Sequence, residues 1–313
     1  MKETCEPPLK VTRLEDVLSV VPYLIGFHPH ESVVALVMVR GVVAVSARWD
    51  LPAGEQEWRS LHQRLNALQA QFDGSSLGLL VFSADGGLAR YLLAALGSAY
   101  GHDVLFGIAS DESLWWSSDD LAGPGRPVPA ESSVIAASAV LRGMSALPTR
   151  ERLAASYEPL PPATAEIVAV ERARLRRMLR RRSLANRYAA LDDLARRGPS
   201  ADEDELVRAG IILGTERPWI HAWRSLTLDD ASARQELWHA VLVRTMPADA
   251  PPVYALLGIA SWLTGDGASA AICLEKGRLL RPGGGCGLDL LDLMIDAAVP
   301  PDRYGELRRS WGP

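Results

Sequence analysis

Residues 21–52, VPYLIGFHPHESVVALVMVRGVVAVSARWDLP, contain two apolar runs, 33–39 and 42–47, separated by Arg40-Gly41. Both runs are rich in β-branched residues, which suit a pleated surface, and a two-residue connection containing Gly is hairpin chemistry. With Arg40 and Gly41 as the turn, Val39 faces Val42, Val33 faces Arg48, Ser32 faces Trp49 and Glu31 faces Asp50. The two-residue period of a strand then places Glu31, Val33, Ser46, Arg48 and Asp50 on one face. Opposed Cβ atoms lie roughly 5 Å apart, so HPHES and RWD are expected to meet at the open end of the ribbon.

That end gathers the densest group of chemically able side chains in the chain: His28, His30, Glu31, Ser32, Arg48 and Asp50. On a functional reading, Glu31 and Asp50 are a like-charged pair in which one pKa is raised, and Arg48 clamps an anionic ligand. On a structural reading, Arg48 neutralises both carboxylates and the group pins the hairpin register, since structural ion pairs also perturb titration. An extended His28-Pro29-His30 can aim two rings one way, but catalytic zinc takes three protein ligands. The other histidines, at 62, 102, 221 and 239, show no ligand spacing from the pair. No metal and no cofactor is expected.

Composition bounds the rest. A chain of 313 residues, 48% hydrophobic and 23% charged, reads as an ordinary globular protein divided into two domains. A net charge of −5 argues against wholesale nucleic-acid binding, though not against a local basic patch. Three cysteines, Cys5, Cys273 and Cys286, show no C-x-x-C spacing and fit a reducing cytoplasm. MKETCEPPLK lacks the apolar core of a signal peptide, and no run approaches a membrane span.

Thr12 and Glu15 suit the capping box of a helix that runs to about Val20 and stops at Pro22. Trp58, Leu61, Leu65, Leu68 and Phe72 recur at helical spacing over 55–72, and Asp73-Gly74 breaks the pattern. Strands are expected at 77–82, 103–108 and 114–117, the last at a sheet edge, with a turn at Asp85-Gly86-Gly87 and a helix over 88–99. A helix over 131–141, with Gly143 as its C-cap, and another through about Tyr157 follow. Strands alternating with helices after an opening hairpin indicate a mixed α/β sheet with helices packed on it, over residues 1–157. Trp115 and Trp116 must face opposite ways; one is expected in the core, the other over a cleft, where Ser117 is a candidate contact.

EPLPPAT, within 158–165, reads as a Pro-rich linker to an all-helical domain, 166–313. A long helix over 166–195 is expected, with Val168, Leu175, Met178 and Leu179 on one stripe and most of the arginines of 172–182 on the other faces. Arg176, Arg177, Arg180 and Arg181 are therefore candidate nucleic-acid contacts, or a solvated face neutralised by nearby acids. Aromatic interleaving for base stacking is missing. Tyr254, Leu257, Gly258, Ala270, Leu274 and Pro282 take the spacing of one tetratricopeptide-like helical hairpin, with Gly265 in its turn, Ser261 where an aromatic is usual and Gly277 where Ala is. The glycines at 265–267 follow a helix rather than a strand, so they do not form a dinucleotide loop.

GFHP-x-x-S (Gly26, Phe27, His28, Pro29, Ser32), R-x-D-L-P (Arg48, Asp50, Leu51, Pro52), Trp115-Trp116-Ser117 and WLTGDGASAAICLEKGRLLRP resemble a bacterial family known as domain of unknown function 4192 (DUF4192). The cysteines that family carries after its Trp-Trp-Ser strand have no counterpart here before Cys273. The resemblance implies an intracellular bacterial protein of this architecture and brings no activity, substrate or catalytic residue.

Three functions remain in view. The first is a non-enzymatic cytoplasmic protein that binds a protein partner or small anionic ligand, because no nucleophile–base motif is present. The second is a hydrolase or transferase with Glu31 or Asp50 as general base, His28 as acid–base and Arg48 as anion clamp. The third is nucleic-acid binding through the arginine-bearing helix.

Overall fold

The computed structural model describes residues 11–72, 74–129, 133–142, 144–285 and 287–310. Two compact units divide the chain, Met1–Leu153 and Ala154–Pro313. The first is a six-stranded mixed sheet with helices; the second is helical.

Helix α1 covers Leu14–Ile25. Its N-cap is Arg13 rather than Thr12, and Pro22 lies inside the helix, which ends instead at Gly26 with φ +82°. Proline removes one backbone donor, but Val17, Leu18, Val21, Pro22 and Ile25 are buried, and that packing outweighs local propensity.

Strands β1 (Ser32–Val39) and β2 (Val42–Asp50) form the expected hairpin. Arg40 and Gly41 both have positive φ, +52° and +78°, the signature of a type I′ turn. The register holds for Val39↔Val42 and Met38↔Val43 and then slips by one, through Val37↔Val45 to Val34↔Arg48, Val33↔Trp49 and Ser32↔Asp50. The extra residue, Ala44, is a β-bulge. Because strand faces alternate, Ser46, Arg48 and Asp50 now share their face with Ser32, Val34 and Leu36, not with Glu31 and Val33 as expected.

Helix α2 (Glu55–Gln71) buries Leu61, Leu65 and Leu68 as its periodicity requires, and residue 73, part of the expected break, lies outside the described residues. Strand β3 (Ser76–Phe82) pairs antiparallel with β1, so β1 is hydrogen-bonded along both edges. Gly78 in β3 lies under the ring of Phe106; a Cβ there would sit 2.2 Å from it. Helix α3 (Gly86–Tyr100) starts two residues before the expected one, since Asp85 caps it by accepting from the N–H groups of Gly87 and Leu88. The helix returns the chain to β4 (Val104–Ser110), parallel to β3. Strand β5 (Leu114–Ser117) is not the edge: the two-residue β6 (Arg126–Pro127) pairs beyond it, giving the order β2-β1-β3-β4-β5-β6. Helix α4 (Val134–Leu141) is capped by Ser133; residue 131 and the Gly143 C-cap lie outside the described residues. Helix α5 (Arg150–Ser156) closes the first unit and opens the second.

The helix expected over 166–195 is two, α6 (Pro162–Arg180) and α7 (Leu184–Arg197), because Ser183 caps α7 by accepting from the Asn186 N–H at 3.2 Å. Pro162 begins α6, a position where its missing donor costs nothing, so the Pro-rich connector is shorter than 158–165. Leu179 is buried as expected, whereas Met178 is exposed. Helices α8 (Glu203–Leu213), α9 (Glu216–Ser225) and α10 (Ala231–Leu242) follow. Every residue of α11 (Ala250–Leu263) is buried, as a helix apolar on all sides must be. The turn at Gly265, φ +81°, joins it to α12 (Gly267–Leu280), forming the helix pair read from spacing; α13 (Leu288–Asp296) and α14 (Tyr304–Ser310) complete the unit. A Cβ on Gly277 of α12 would lie 2.5 Å from Leu288. Among the described residues, no helix is long and apolar enough to cross a membrane.

Two outcomes check this packing. Gly78→Ala will lower stability by about 1–3 kcal/mol, as overpacking does, and Phe106→Leu in the same chain will recover at least about 0.5 kcal/mol; urea midpoints of the two single variants and the double variant measure both. Burial alone would raise the Asp230 carboxyl, but hydrogen bonds from Arg234 and from the Thr227 N–H and hydroxyl outweigh it and hold the pKa below the usual value. A depressed folded pKa means the stabilisation is complete above the unfolded value, about 3.9, and is lost as pH falls through the folded one. Asp230→Asn will therefore cost about 1–2 kcal/mol at neutral pH, and the gap from wild type will close in acid when melting is followed against pH.

Candidate functional site

A cavity of about 550 Å³ opens where the parallel strands β3 and β4 end. In sheets of this kind ligands bind beyond the carboxyl ends of parallel strands, because the chain leaves them in loops that can diverge. Its walls are Tyr23 from α1, His28, Pro29, His30 and Glu31 from the segment before β1, Ser83 and Ala84 after β3, and Ser110, Asp111 and Glu112 at the end of β4, with Val128 and Pro129 opposite.

Glu31 is the most constrained of these. Its φ is +39°, a region that non-glycine residues rarely enter. The conformation is held from two sides. Its carbonyl accepts from the Leu51 N–H at 3.1 Å, and its carboxylate accepts from the Ala84 N–H at 2.6 Å and the Ser83 hydroxyl at 3.1 and 3.2 Å. A carboxylate here also faces the start of α3, where backbone N–H groups and the helix dipole favour negative charge. His28 is positioned by main-chain pairing: its N–H donates to Leu147 at 3.0 Å, beside the Phe27–Leu147 bridge. His30 and Glu112 approach within 3.9 Å with both side chains exposed. Asp111 accepts from the N–H groups of Ser113 and Leu114 through Oδ1 alone.

The expected cluster is divided. The bulge and the left-handed turn at Glu31 send Glu31 with His28 and His30 into the cavity, while Arg48 and Asp50 pair with each other away from its lining. Arg48 also donates to the His30 carbonyl at 3.3 Å and lies 5.9 Å from the Phe27 ring centroid. Burial pushes its pKa down and Asp50 counters. Ser32 is fully buried within β1. Trp115 and Trp116 do face opposite ways, and both are buried under arginines, Arg126 and Arg90, at 5.1 and 4.9 Å. Neither tryptophan lines the cavity, nor does Ser117. Sequence reading passed over Ser83, Ser110, Asp111 and Glu112; the available signal was polar residues directly after two apolar runs read as strands.

Of the candidate arginines, Arg176 pairs with Asp249, and Arg177, Arg180 and Arg181 are exposed. Among the described residues, no group of three or more His, Cys, Asp or Glu is placed to hold a metal ion. No curated protein and no solved structure matches the chain. A family profile matches residues 15–302, from the first turn of α1 almost to the start of α14: the chain belongs to the family described as domain of unknown function (DUF4192).

Proposed function

We propose that the α/β unit is a non-enzymatic receptor for a small molecule, held in the cavity at the ends of β3 and β4. The observation that carries this reading is a volume of about 550 Å³, within the usual range for ligand sites, walled on one side by a residue kept in strained backbone geometry. The polar lining decides the ligand's chemistry. Glu31, Asp111 and Glu112 supply carboxylates, His28 and His30 imidazoles, and Ser83 and Ser110 hydroxyls; among the described residues no Lys or Arg lines the cavity. With Arg48 committed to Asp50, the anionic ligand loses its clamp. A cationic or hydroxyl-rich molecule fits better, its apolar part lying against Leu18, Pro22, Phe82 and Val128.

A hydrolase or transferase would need Glu31 free to take a proton. The Ser83–Glu31 hydrogen bond resembles a nucleophile–base pair, but the same carboxylate accepts from Ala84, and the Ser83 oxygen accepts from the Asp85 N–H at 3.2 Å. Those bonds build the β3–α3 turn, so they support binding rather than turnover.

Thermal melting of the full chain against amines, polyols and carboxylates tests the proposal. Ligand at a hundred times its dissociation constant adds about 2.7 kcal/mol to the native state alone. Amines or polyols are expected to raise Tm, and Ala84→Trp, which fills the cavity from an exposed position, to remove the shift while leaving the far-ultraviolet spectrum unchanged. Shifts confined to carboxylates, or equal in Ala84→Trp, would refute the reading.

A further inference from the structure

In the helical unit a small niche of about 40 Å³ is lined by Arg176 and Arg180 of α6, Arg187 of α7, Ile212 and the C-cap Gly214 at the end of α8, and Thr215, the N-cap of α9. One water needs roughly 10–15 Å³ on this measure, so the space suits a group of several heavy atoms. Three arginines line it with a single carboxylate residue, Asp249, which pairs with Arg176. Arg180 has no ion pair among the described residues. Arg187 reaches only the Thr215 hydroxyl, at 3.4 Å, and its Nε is buried without a hydrogen-bond partner.

A buried donor without an acceptor is costly, so the unpartnered Arg187 Nε, beside two more arginines and one shared carboxylate, suits a ligand that supplies acceptors. Several other arginines of this unit have carboxylate partners: Arg196 pairs with Asp193, Arg197 with Glu205, Arg234 with Asp230, Arg244 with Glu203 and Arg278 with Asp289 and Asp292. At the niche the end of α8 meets the start of α9, and the backbone polarities of these two helix ends are opposite in sign. The N-cap Thr215 of α9 makes no side-chain cap, because that hydroxyl donates to the Ile212 carbonyl at 2.9 Å. Glu216, in the first turn of α9, does not line the niche.

We propose that this niche binds a phosphate group. Arg180 and Arg187 hold its oxygens, while Arg176, oriented by Asp249, closes one side. Guanidinium forks match a tetrahedral oxyanion in both charge and geometry. The group can belong to a free phosphorylated molecule or to a nucleic-acid strand, since Arg174 and Arg177 of α6 and its C-cap Arg181 are exposed as well.

The test is melting of the full chain in inorganic phosphate against sodium chloride of equal ionic strength, together with retention on a single-stranded oligonucleotide. Phosphate is expected to raise Tm by about 2–5 °C over chloride. Arg180→Ala, exposed and unpaired, should abolish the shift with its circular dichroism unchanged, and Arg187→Lys, which keeps the charge but loses the fork, should reduce it. Oligonucleotide retention that Arg180→Ala and Arg177→Ala both weaken would assign the phosphate to a strand; a shift with inorganic phosphate alone would assign it to a small molecule. Equal shifts in phosphate and chloride, or a phosphate shift unchanged in Arg180→Ala, would overturn the proposal.

Discussion

The β1–β3 ladder joins the two halves of the sheet, and a single carboxylate fastens its end. Glu31 leaves the hairpin just before β1 and binds the turn that starts α3 after β3, through Ala84 N–H and the Ser83 hydroxyl. The hairpin and the parallel βαβ element are therefore held at the same edge, where the cavity opens. The positive φ of Glu31 costs of order 1–3 kcal/mol, and the hydrogen bonds from Leu51, Ser83 and Ala84 are what make it tolerable. Replacing this residue would release the strain and the join together, so its stability effect cannot be read as the value of any one contact.

The bulge at Ala44 serves the same division of labour. A regular hairpin would have brought Glu31, Arg48 and Asp50 onto one face, where the guanidinium could neutralise both acids. One extra residue on β2 moves Arg48 and Asp50, which pair with each other, off the face expected for Glu31 and leaves the cavity side acidic. The chemistry at the sheet edge is thus set by a backbone count rather than by which side chains are present.

This also explains how far the residues alone could be read. The turn at Arg40-Gly41, the apolar runs, the amphipathic 55–71 helix and the pair α11–α12 depend on local spacing, and each formed where spacing placed it. The register did not follow, because a bulge in a Val-rich strand has no composition mark of its own. The ends of α1 and α6 were missed for a related reason: Pro22 and Ser183 act through packing and capping that alternative local rules would have resolved differently. Asp111 and Glu112 became visible only once β4 ran parallel to β3, since parallel pairing decides which strand ends share an edge.

The arginines of α6 show the converse limit. Composition argued against a polyanion partner, yet the whole net charge of −5 lies in the first 153 residues, which hold 17 Asp and Glu against 12 Lys and Arg, while the rest of the chain is balanced. Within that neutral unit, the break before α7 lets Arg187 come alongside Arg176 and Arg180, so one short stretch acquires a local surplus that no average reveals. Coulomb attraction falls off within about 10 Å at ordinary salt. A ligand at the niche therefore responds to those three guanidinium groups and Asp249, and not to the sign of the chain as a whole.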